Sequence, residues 1–449
     1  MENSSITLPA AGKPAPVSLA EAFRYWLKLG FISFGGPAGQ IALMHQELVE
    51  KRRWISEHRF LHALNYCMLL PGPEATQLAI YIGWLLHRTR GGIVAGVLFV
   101  LPSLAILIGL TWVYLAFGTL PVIAGVLYGI KPAVVAIVLA AASRIGSRSL
   151  KNLWLIGIAL LAFVAIAVVD IPFPAIVLAA GVAGAAGGRW LPQHFRIGGA
   201  HAGKEKSYGA ALIDDDTPTP AHAVFSWLRV TRVAVIGVAL GAGAWLTLAW
   251  LTGASGTLAQ IGWFFTKAAM LTFGGAYAVL PYVYQGAVDH FHWLSAPQMI
   301  DGLALGETTP GPLIMIVAFV GFVGGWGNIA SAAAGAAGAC VATFFTFLPS
   351  FVFILAGGPI VEATRDDIRL TAPLTAISAA VVGVIVSLAV FFAQHVFHTE
   401  RALAAWDWLA VAITLGAGVA LVGYKVGTVK VLLCCAAAAV VVSYSTTWI

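Results

Sequence analysis

The chain has 449 residues, of which 60% are hydrophobic and only 10% charged, against about 25% charged for a soluble globular protein. Its net charge of +6 is scattered over the short stretches between apolar runs, which excludes a concentrated nucleic-acid patch and fits positively charged loops on one side of a bilayer. A soluble core would need a dozen fully apolar helices, so the composition points to an all-α polytopic membrane protein.

In chain order, residues 1–18 form a polar, Pro-rich tail without the apolar centre of a cleaved signal peptide. Six apolar segments follow, near 19–44, 60–86, 91–117, 121–145, 152–170 and 172–190, and make up a first half, 19–190. Residues 191–228 are polar, with Lys204-Glu205-Lys206 and Asp214-Asp215-Asp216-Thr217-Pro218-Thr219-Pro220, and read as a cytoplasmic linker. A further segment lies near 229–252, within a unit 229–257. The second half, 258–449, holds six more, near 258–285, 298–325, 328–357, 370–395, 403–423 and 428–446, which gives 12 to 13 segments in all.

The two halves repeat each other. Phe34-Gly35-Gly36, Trp54 and Pro71-Gly72-Pro73 recur as Phe273-Gly274-Gly275, Trp293 and Pro310-Gly311-Pro312, always 239 positions apart (273−34, 293−54, 310−71). Lys28 and Lys267 keep that offset. Beyond the PGP motif the offset becomes 247, as Leu101-Pro102-Ser103 matches Leu348-Pro349-Ser350 (348−101), through an eight-residue insertion near Trp326–Cys340. If 229–252 spans, an odd number of crossings separates the copies and the second is inverted relative to the first, the architecture of many secondary transporters.

Loop charge tests that topology. Lys51, Arg52, Arg53 and Arg59 lie between the first two segments, whereas the counterpart loop from Gln285 to Pro297 has Asp289 and no Lys or Arg. The linker and the loops with Arg88/Arg90 and Arg144/Arg148/Lys151 are also basic. All these basic stretches share the cytoplasmic side only if the first two segments are both re-entrant hairpins that turn at FGG and PGP. Gly and Pro break helices, and non-helical backbone at membrane depth survives where it is covered or lines a cavity.

The broken segments are the candidate substrate site. In FGGPAGQ (Gly35, Gly36, Pro37, Gln40) and PGPEATQLA (Pro71, Gly72, Pro73, Glu74, Thr76, Gln77) a Gly/Pro break opens a new helix. The second half offers Gly274 and Gly275, then Glu307, Thr308, Thr309, Pro310, Gly311 and Pro312. Free amides at a helix start, with the helix dipole, favour an anion, and the hydroxyl and amide side chains of Gln40, Thr76, Gln77, Thr308 and Thr309 add polar groups. Close helix packing or kinking also employs Gly and Pro. Four such motifs at fixed spacing argue for more than that.

Charges inside apolar segments are costly at membrane depth, roughly 2.5–3.5 kcal/mol each, and mark function or ion pairs. Lys28, Lys131 and Lys267 suit an anionic substrate, and the repeat-related Lys28 and Lys267 are expected to face one site from two sides. Glu74 and Glu307, not at matching repeat positions, are candidates for a coupling proton, a lysine partner or a helix cap. Cys67, Cys340, Cys434 and Cys435 sit in apolar segments without CxxC spacing, so no disulfide is expected. With no HExxH and no Cys/His set of zinc spacing, no metal site is expected either. Without a Walker motif or a Ser-His-Asp signature, neither ATP coupling, a cofactor nor catalysis is expected.

At these motifs the sequence resembles the chromate ion transporter family in its long, two-domain form. The matching stretches are FGGPAGQIALMHQELVEKRRWIS, CMLLPGPEATQLAIYIGW, GIKPAVVAIVL, KAAMLTFGGAYAVLPYVYQGAV and GLALGETTPGPLIMIVAFVGF. The resemblance implies a multi-pass protein of the cytoplasmic (inner) membrane that exports chromate and confers chromate resistance. The family residues it carries over are Gly35, Gly36, Pro37, Pro71, Gly72, Pro73, Glu74, Gly274, Gly275, Glu307, Pro310, Gly311 and Pro312. The alternatives are a carrier of sulfate or another tetrahedral oxyanion with chromate as an opportunistic substrate, an intramembrane enzyme acting on a lipid phosphate, and a cation channel, which mid-membrane lysines disfavour.

Overall fold

The computed structural model describes residues 14–34, 36–195, 208–218, 220–273, 275–327, 330–363, 371–398 and 406–446. Among them every regular element is helical, beside two isolated β-bridges. In chain order these are α1 (Leu19–Ile32), α2 (Gly36–His45), α3 (Glu57–Cys67), α4 (Glu74–Phe117), α5 (Pro121–Ser149), α6 (Leu153–Ala167), α7 (Phe173–Trp190), α8 (Pro192–Phe195) and α9 (Trp227–Thr252). The second half continues with α10 (Thr257–Met270), α11 (Ala276–Tyr284), α12 (Ala296–Thr308), α13 (Ile316–Trp326), α14 (Ala332–Ala363), α15 (Thr371–Phe397), α16 (Trp408–Gly418) and α17 (Thr428–Thr446). Six of them, α4, α5, α7, α9, α14 and α15, are long and apolar enough to cross a membrane. The protein is therefore an all-α, multi-pass membrane protein.

The first two apolar segments fold back on themselves as hairpins. α1 starts on Ser18, whose hydroxyl accepts from the Glu21 amide, and has 14 residues, about 21 Å of rise against a hydrocarbon core of about 30 Å. Its buried stripe is Ala22, Tyr25, Trp26, Leu29 and Gly30. The chain then turns back through α2, and a π-helical turn (Gln46–Lys51) brings Arg52 to Glu21 at 3.1 Å, over the Tyr25 and Trp54 rings at 5.4 and 5.2 Å. The hairpin's two ends thus share one face.

α3 and the first arm of α4 make a second hairpin around PGP. Arg59, near its beginning, and Tyr81, near its end, reach the same carboxylate: Arg59 Nη1 lies 3.6 Å from Glu362, and the Tyr81 hydroxyl donates to it. α4 reverses direction at His87 and Arg88, whose backbone leaves the helical region. The glycines Gly83 and Gly91 let its two arms close, since a Cβ on Gly83 would sit 2.5 Å from the Gly91 carbonyl oxygen. The second arm starts beside α1, with His87 Nε2 2.8 Å from the Val17 carbonyl. It crosses to the opposite face, where the Tyr114 hydroxyl donates to Asp301 of α12 at 2.9 Å.

The second half repeats this plan upside down. A π-helical turn recurs at Gln285–His290, and left-handed Arg53 (φ 51) and Arg88 (φ 56) recur as His292 (φ 53) and Gly327 (φ 38), again 239 apart (292−53, 327−88). α14 then crosses the molecule. Its start packs against the end of α13, where a Cβ on Gly325 would meet the Ala334 carbonyl at 2.4 Å. Its far end carries Glu362 into the mouth of the first-half hairpins. The two hairpin pairs therefore open at opposite ends of one crossing helix, which is the inverted repeat. Linker residues pack on the first mouth: Ile213 bridges Ile55, Asp215 accepts from Ser56, and the Thr217 carbonyl accepts from Arg59.

Candidate functional site

The four hairpin tips meet in the middle of the protein, and they meet reciprocally. The Gly72 amide donates to the Thr272 carbonyl at 2.7 Å, and the Gly311 amide donates to the Ser33 carbonyl at 2.8 Å. These bonds exchange under the repeat, since 311−72 and 272−33 are both 239. Each PGP tip thus hydrogen-bonds the FGG tip of the other half. Gly72 (φ +127) and Gly311 (φ +102) stand in the left-handed region, which glycine alone occupies without strain. Added side chains there would collide with Ser350 Oγ at 2.4 Å and with Ser103 Cβ at 2.7 Å, and these two serines are a repeat pair themselves (350−103 = 247).

Polar side chains brace the tips. Gln40 Nε2 donates to the Gly311 carbonyl, and Gln77 Nε2 donates to the Pro71 carbonyl at 2.8 Å. Four buried polar atoms here have no hydrogen-bond partner among the described residues: Gln40 Oε1, Gln77 Oε1, Thr76 Oγ1 and Ser103 Oγ. Buried groups of this kind are rare in native proteins and call for an explanation. The hydroxyls of Thr76 and Ser103 are donors that a bound oxyanion would satisfy.

Beside the tips lies a cavity of about 30 Å³ between Gly36 and Pro37 at the start of α2, Tyr277 at the start of α11, Glu307, and Ile137, Ala140, Ala141 and Arg144 of α5, with Leu421 and Thr428 closing it. The Tyr277 hydroxyl donates to the Glu307 carboxylate. A helix start, a guanidinium, a phenol and a carboxylate thus line one enclosure. The first two favour an anion, and the carboxylate opposes one unless it is protonated or paired.

The structure brings together Gly36, Pro37, Gln40, Pro71, Gly72, Pro73, Thr76, Gln77, Gly275, Glu307, Pro310, Gly311 and Pro312 at or beside the tips. Gly35 and Gly274 lie outside the described residues. Thr308 and Thr309 lie near, but their hydroxyls donate to the Leu305 and Gly306 carbonyls at 2.8 and 2.9 Å and close the end of α12. Glu74 opens α4 next to the PGP turn.

The lysines depart from the expectation. Lys28 and Lys267 are exposed on the outer sides of α1 and α10, off the buried stripes of those helices, and Lys267 Nζ rests 5.8 Å from the Trp263 ring centre. The 3.6-residue period that buries Tyr25, Trp26, Leu29 and Gly30 turns position 28 outward. Lys131 pairs with buried Asp301 at 3.4 Å, beside Tyr114.

Arg144, Tyr277 and Asp301 are the residues that sequence reading missed. α5 runs on to Ser149, so Arg144, which the sequence places among basic loop residues, sits on a helix against the cavity. It carried no sequence signal, since Gly146, two residues on, reads as a helix stop and α5 runs through it. Tyr277 and Asp301 carried none, as their repeat counterparts are Ala38 and His62 (277−38 and 301−62 both 239).

Comparison with known proteins agrees with the duplicated plan. The family described as chromate transporter matches twice, over residues 20–185 and 259–441. The chromate transport protein of Cupriavidus metallidurans is 32% identical over 384 residues, covering 84% of this chain and 83% of that protein. The chromate transport protein of Pseudomonas aeruginosa is 34% identical over 382 residues, covering 85% and 82%. An uncharacterized transporter of Bacillus subtilis is 32% identical over 133 residues, covering 29% of this chain and 68% of that protein. No solved structure matches the chain. By two matched halves and relatives alike over most of their length, this protein belongs to the chromate transporter family.

Proposed function

We propose that the protein carries chromate outward across the cytoplasmic membrane by alternating access around the hairpin tips, and so confers chromate resistance. The observation that carries this reading is the reciprocal bonding of the tips, Gly72 to Thr272 and Gly311 to Ser33. One centre held identically from two opposed mouths is what an inverted-repeat carrier needs to present a site to each side in turn. In this reading 19–190 and 258–449 are the two transport repeats, 191–228 is the cytoplasmic linker, and 229–257 is an added crossing that inverts the second repeat. The basic first mouth then faces the cytoplasm.

The dianion takes its charge complement from Arg144 and the start of α2, and hydroxyl donors from Thr76 and Ser103. At about 30 Å³ the cavity has room for roughly two waters, so a tetrahedral anion enters only as α5 moves away from α2 and α11. With the cell interior negative, two charges moving outward gain roughly 4.6 kcal/mol per 100 mV, so the membrane potential or ion exchange suffices to drive export. Glu307, hydrogen-bonded to Tyr277 across the cavity from Arg144, is placed to trade a proton or its ion pair for the substrate, and Glu74 is the second coupling candidate.

The test is radiolabelled chromate uptake into everted membrane vesicles, where export reads as uptake. Potential-dependent uptake by the wild type that is lost in Arg144→Gln supports the site. Uptake of sulfate in preference to chromate would make chromate the opportunistic substrate. Absence of uptake by the wild type at every imposed potential would refute the reading.

A further inference from the structure

On the flank of the molecule, away from the tips, an apolar groove of about 450 Å³ runs between the second arm of α4, α14 and α9, within the size range of small-ligand pockets. Its walls obey the repeat. Ile93, Gly96, Val97, Val100, Leu101 and Leu104 on one wall are the repeat counterparts of Cys340, Thr343, Phe344, Phe347, Leu348 and Phe351 on another, each 247 apart (340−93, 351−104). The groove therefore straddles the pseudo-two-fold relation between the halves. Its third wall, Val233, Ile236, Gly237 and Leu240, belongs to α9, which has no counterpart in the first half. α9 is barely held by protein: Gly237 is its one buried residue, seated on Val352 so closely that a Cβ would meet the valine side chain at 2.2 Å.

From Thr89 to Leu104 the groove follows 15 residues of helix, about 22 Å. That carries it from the membrane surface beyond the middle of a hydrocarbon core of about 30 Å. Its mouth lies at the basic face, where Thr89 and Val233 are lining residues. Arg88 and Arg90 flank Thr89, Arg232 precedes Val233, and all three arginines are exposed. None of the three has a carboxylate within salt-bridge distance among the described residues.

We propose that this groove is a binding site for an anionic phospholipid of the cytoplasmic leaflet. One acyl chain fills the space between the α4 arm, α14 and α9, and the headgroup phosphate lies among Arg88, Arg90 and Arg232. The lipid supplies the contact that the protein does not, and fastens the topology-inverting helix α9 to the two helices that join the halves. The charge complementarity selects this occupant over a second copy of the chain, whose matching face is equally basic at the same level and would repel.

Native mass spectrometry of the detergent-solubilised full chain tests it, after exchange into phosphatidylglycerol, phosphatidylcholine or an equal mixture. One phosphatidylglycerol per chain should be retained, with about a tenfold preference over phosphatidylcholine. Arg88→Gln/Arg90→Gln/Arg232→Gln should lower that preference below about twofold, while the corresponding triple Lys variant keeps it. Val97→Trp, which fills the groove and leaves the arginines, should abolish retention of either lipid. Equal retention of the two lipids, unchanged selectivity in the Gln variant, retention despite Val97→Trp, or a dimer in place of the lipid adduct would each overturn the proposal. Because the readout is lipid retention, its failure is distinct from failure of chromate transport.

Discussion

The two copies of the hairpin unit share their backbone and differ in their chemistry. π-Helical turns, left-handed Arg53 and His292, serine caps at Ser56 and Ser295, and the crossed amide bonds of Gly72 and Gly311 recur at one offset. The side chains around them do not. Gln40 answers to Val279, Gln77 to Ile316, and Met68 to Glu307, all 239 apart. An inverted pair needs matched backbones so that its inward and outward states are of similar energy. It needs unmatched side chains so that charge is placed once, on one substrate path. The amide brace sits in the first copy, and the Glu307–Tyr277 pair in the second.

Breaking the backbone match should have the largest effect. Gly72→Ala and Gly311→Ala place a side chain in the left-handed region, at roughly 1–2 kcal/mol each, and against Ser350 or Ser103. Expression-normalised vesicle uptake should fall by more than about tenfold in either variant. Gly36→Ala, with φ +73 but nothing within 4 Å of the added carbon, should show only the strain and retain a larger share of uptake.

Next come the charges placed once. Arg144→Gln should lower uptake about 100-fold, and Arg144→Lys should recover part of it, because a point charge replaces the planar fork imperfectly. Asp301→Asn leaves Lys131 without its partner. Breaking such a pair costs up to about 3–5 kcal/mol when fully buried and less here, where Lys131 is 30% exposed. The melting temperature in detergent should fall, and Lys131→Met/Asp301→Leu should recover most of the loss.

Replacing the first copy's amide by its counterpart, Gln77→Ile, removes a brace on Pro71 and Ser350 and should reduce uptake several-fold with little change in melting temperature. The smallest effect is expected at Lys28→Ala and Lys267→Ala, which should stay within about twofold of wild type. A large loss in either variant would return the repeat-related lysines to the substrate path.

The membrane class, the duplication, the hinge motifs and the inverted plan were legible in the sequence. Composition and a fixed offset are one-dimensional signals, and Gly-Gly and Pro-Gly-Pro break a helix wherever they stand. The loop charges around Lys51, Arg52 and Arg53 implied that the first segment folds back, and the Arg52–Glu21 contact closes that hairpin. The side-chain assignments fared differently. Lys28 and Lys267 share an offset, but an offset says nothing of the direction in which a helix turns a residue. Arg144 looked like a loop cation because the limit of α5 is set by packing against its neighbours.

Taken alone, then, the sequence determined that the chain crosses a membrane, is built twice, and bends at FGG and PGP, because hydrophobic length and backbone conformational limits are local properties. Only the tertiary structure decided which groups meet: Gly72 with Thr272, Gly311 with Ser33, Lys131 with Asp301, and Arg144 with Glu307 and Tyr277 around one cavity. These partners lie far apart in the chain. Their meeting follows from how the hairpins of each half fit between the crossing helices of the other, a matter of shape that no local pattern encodes.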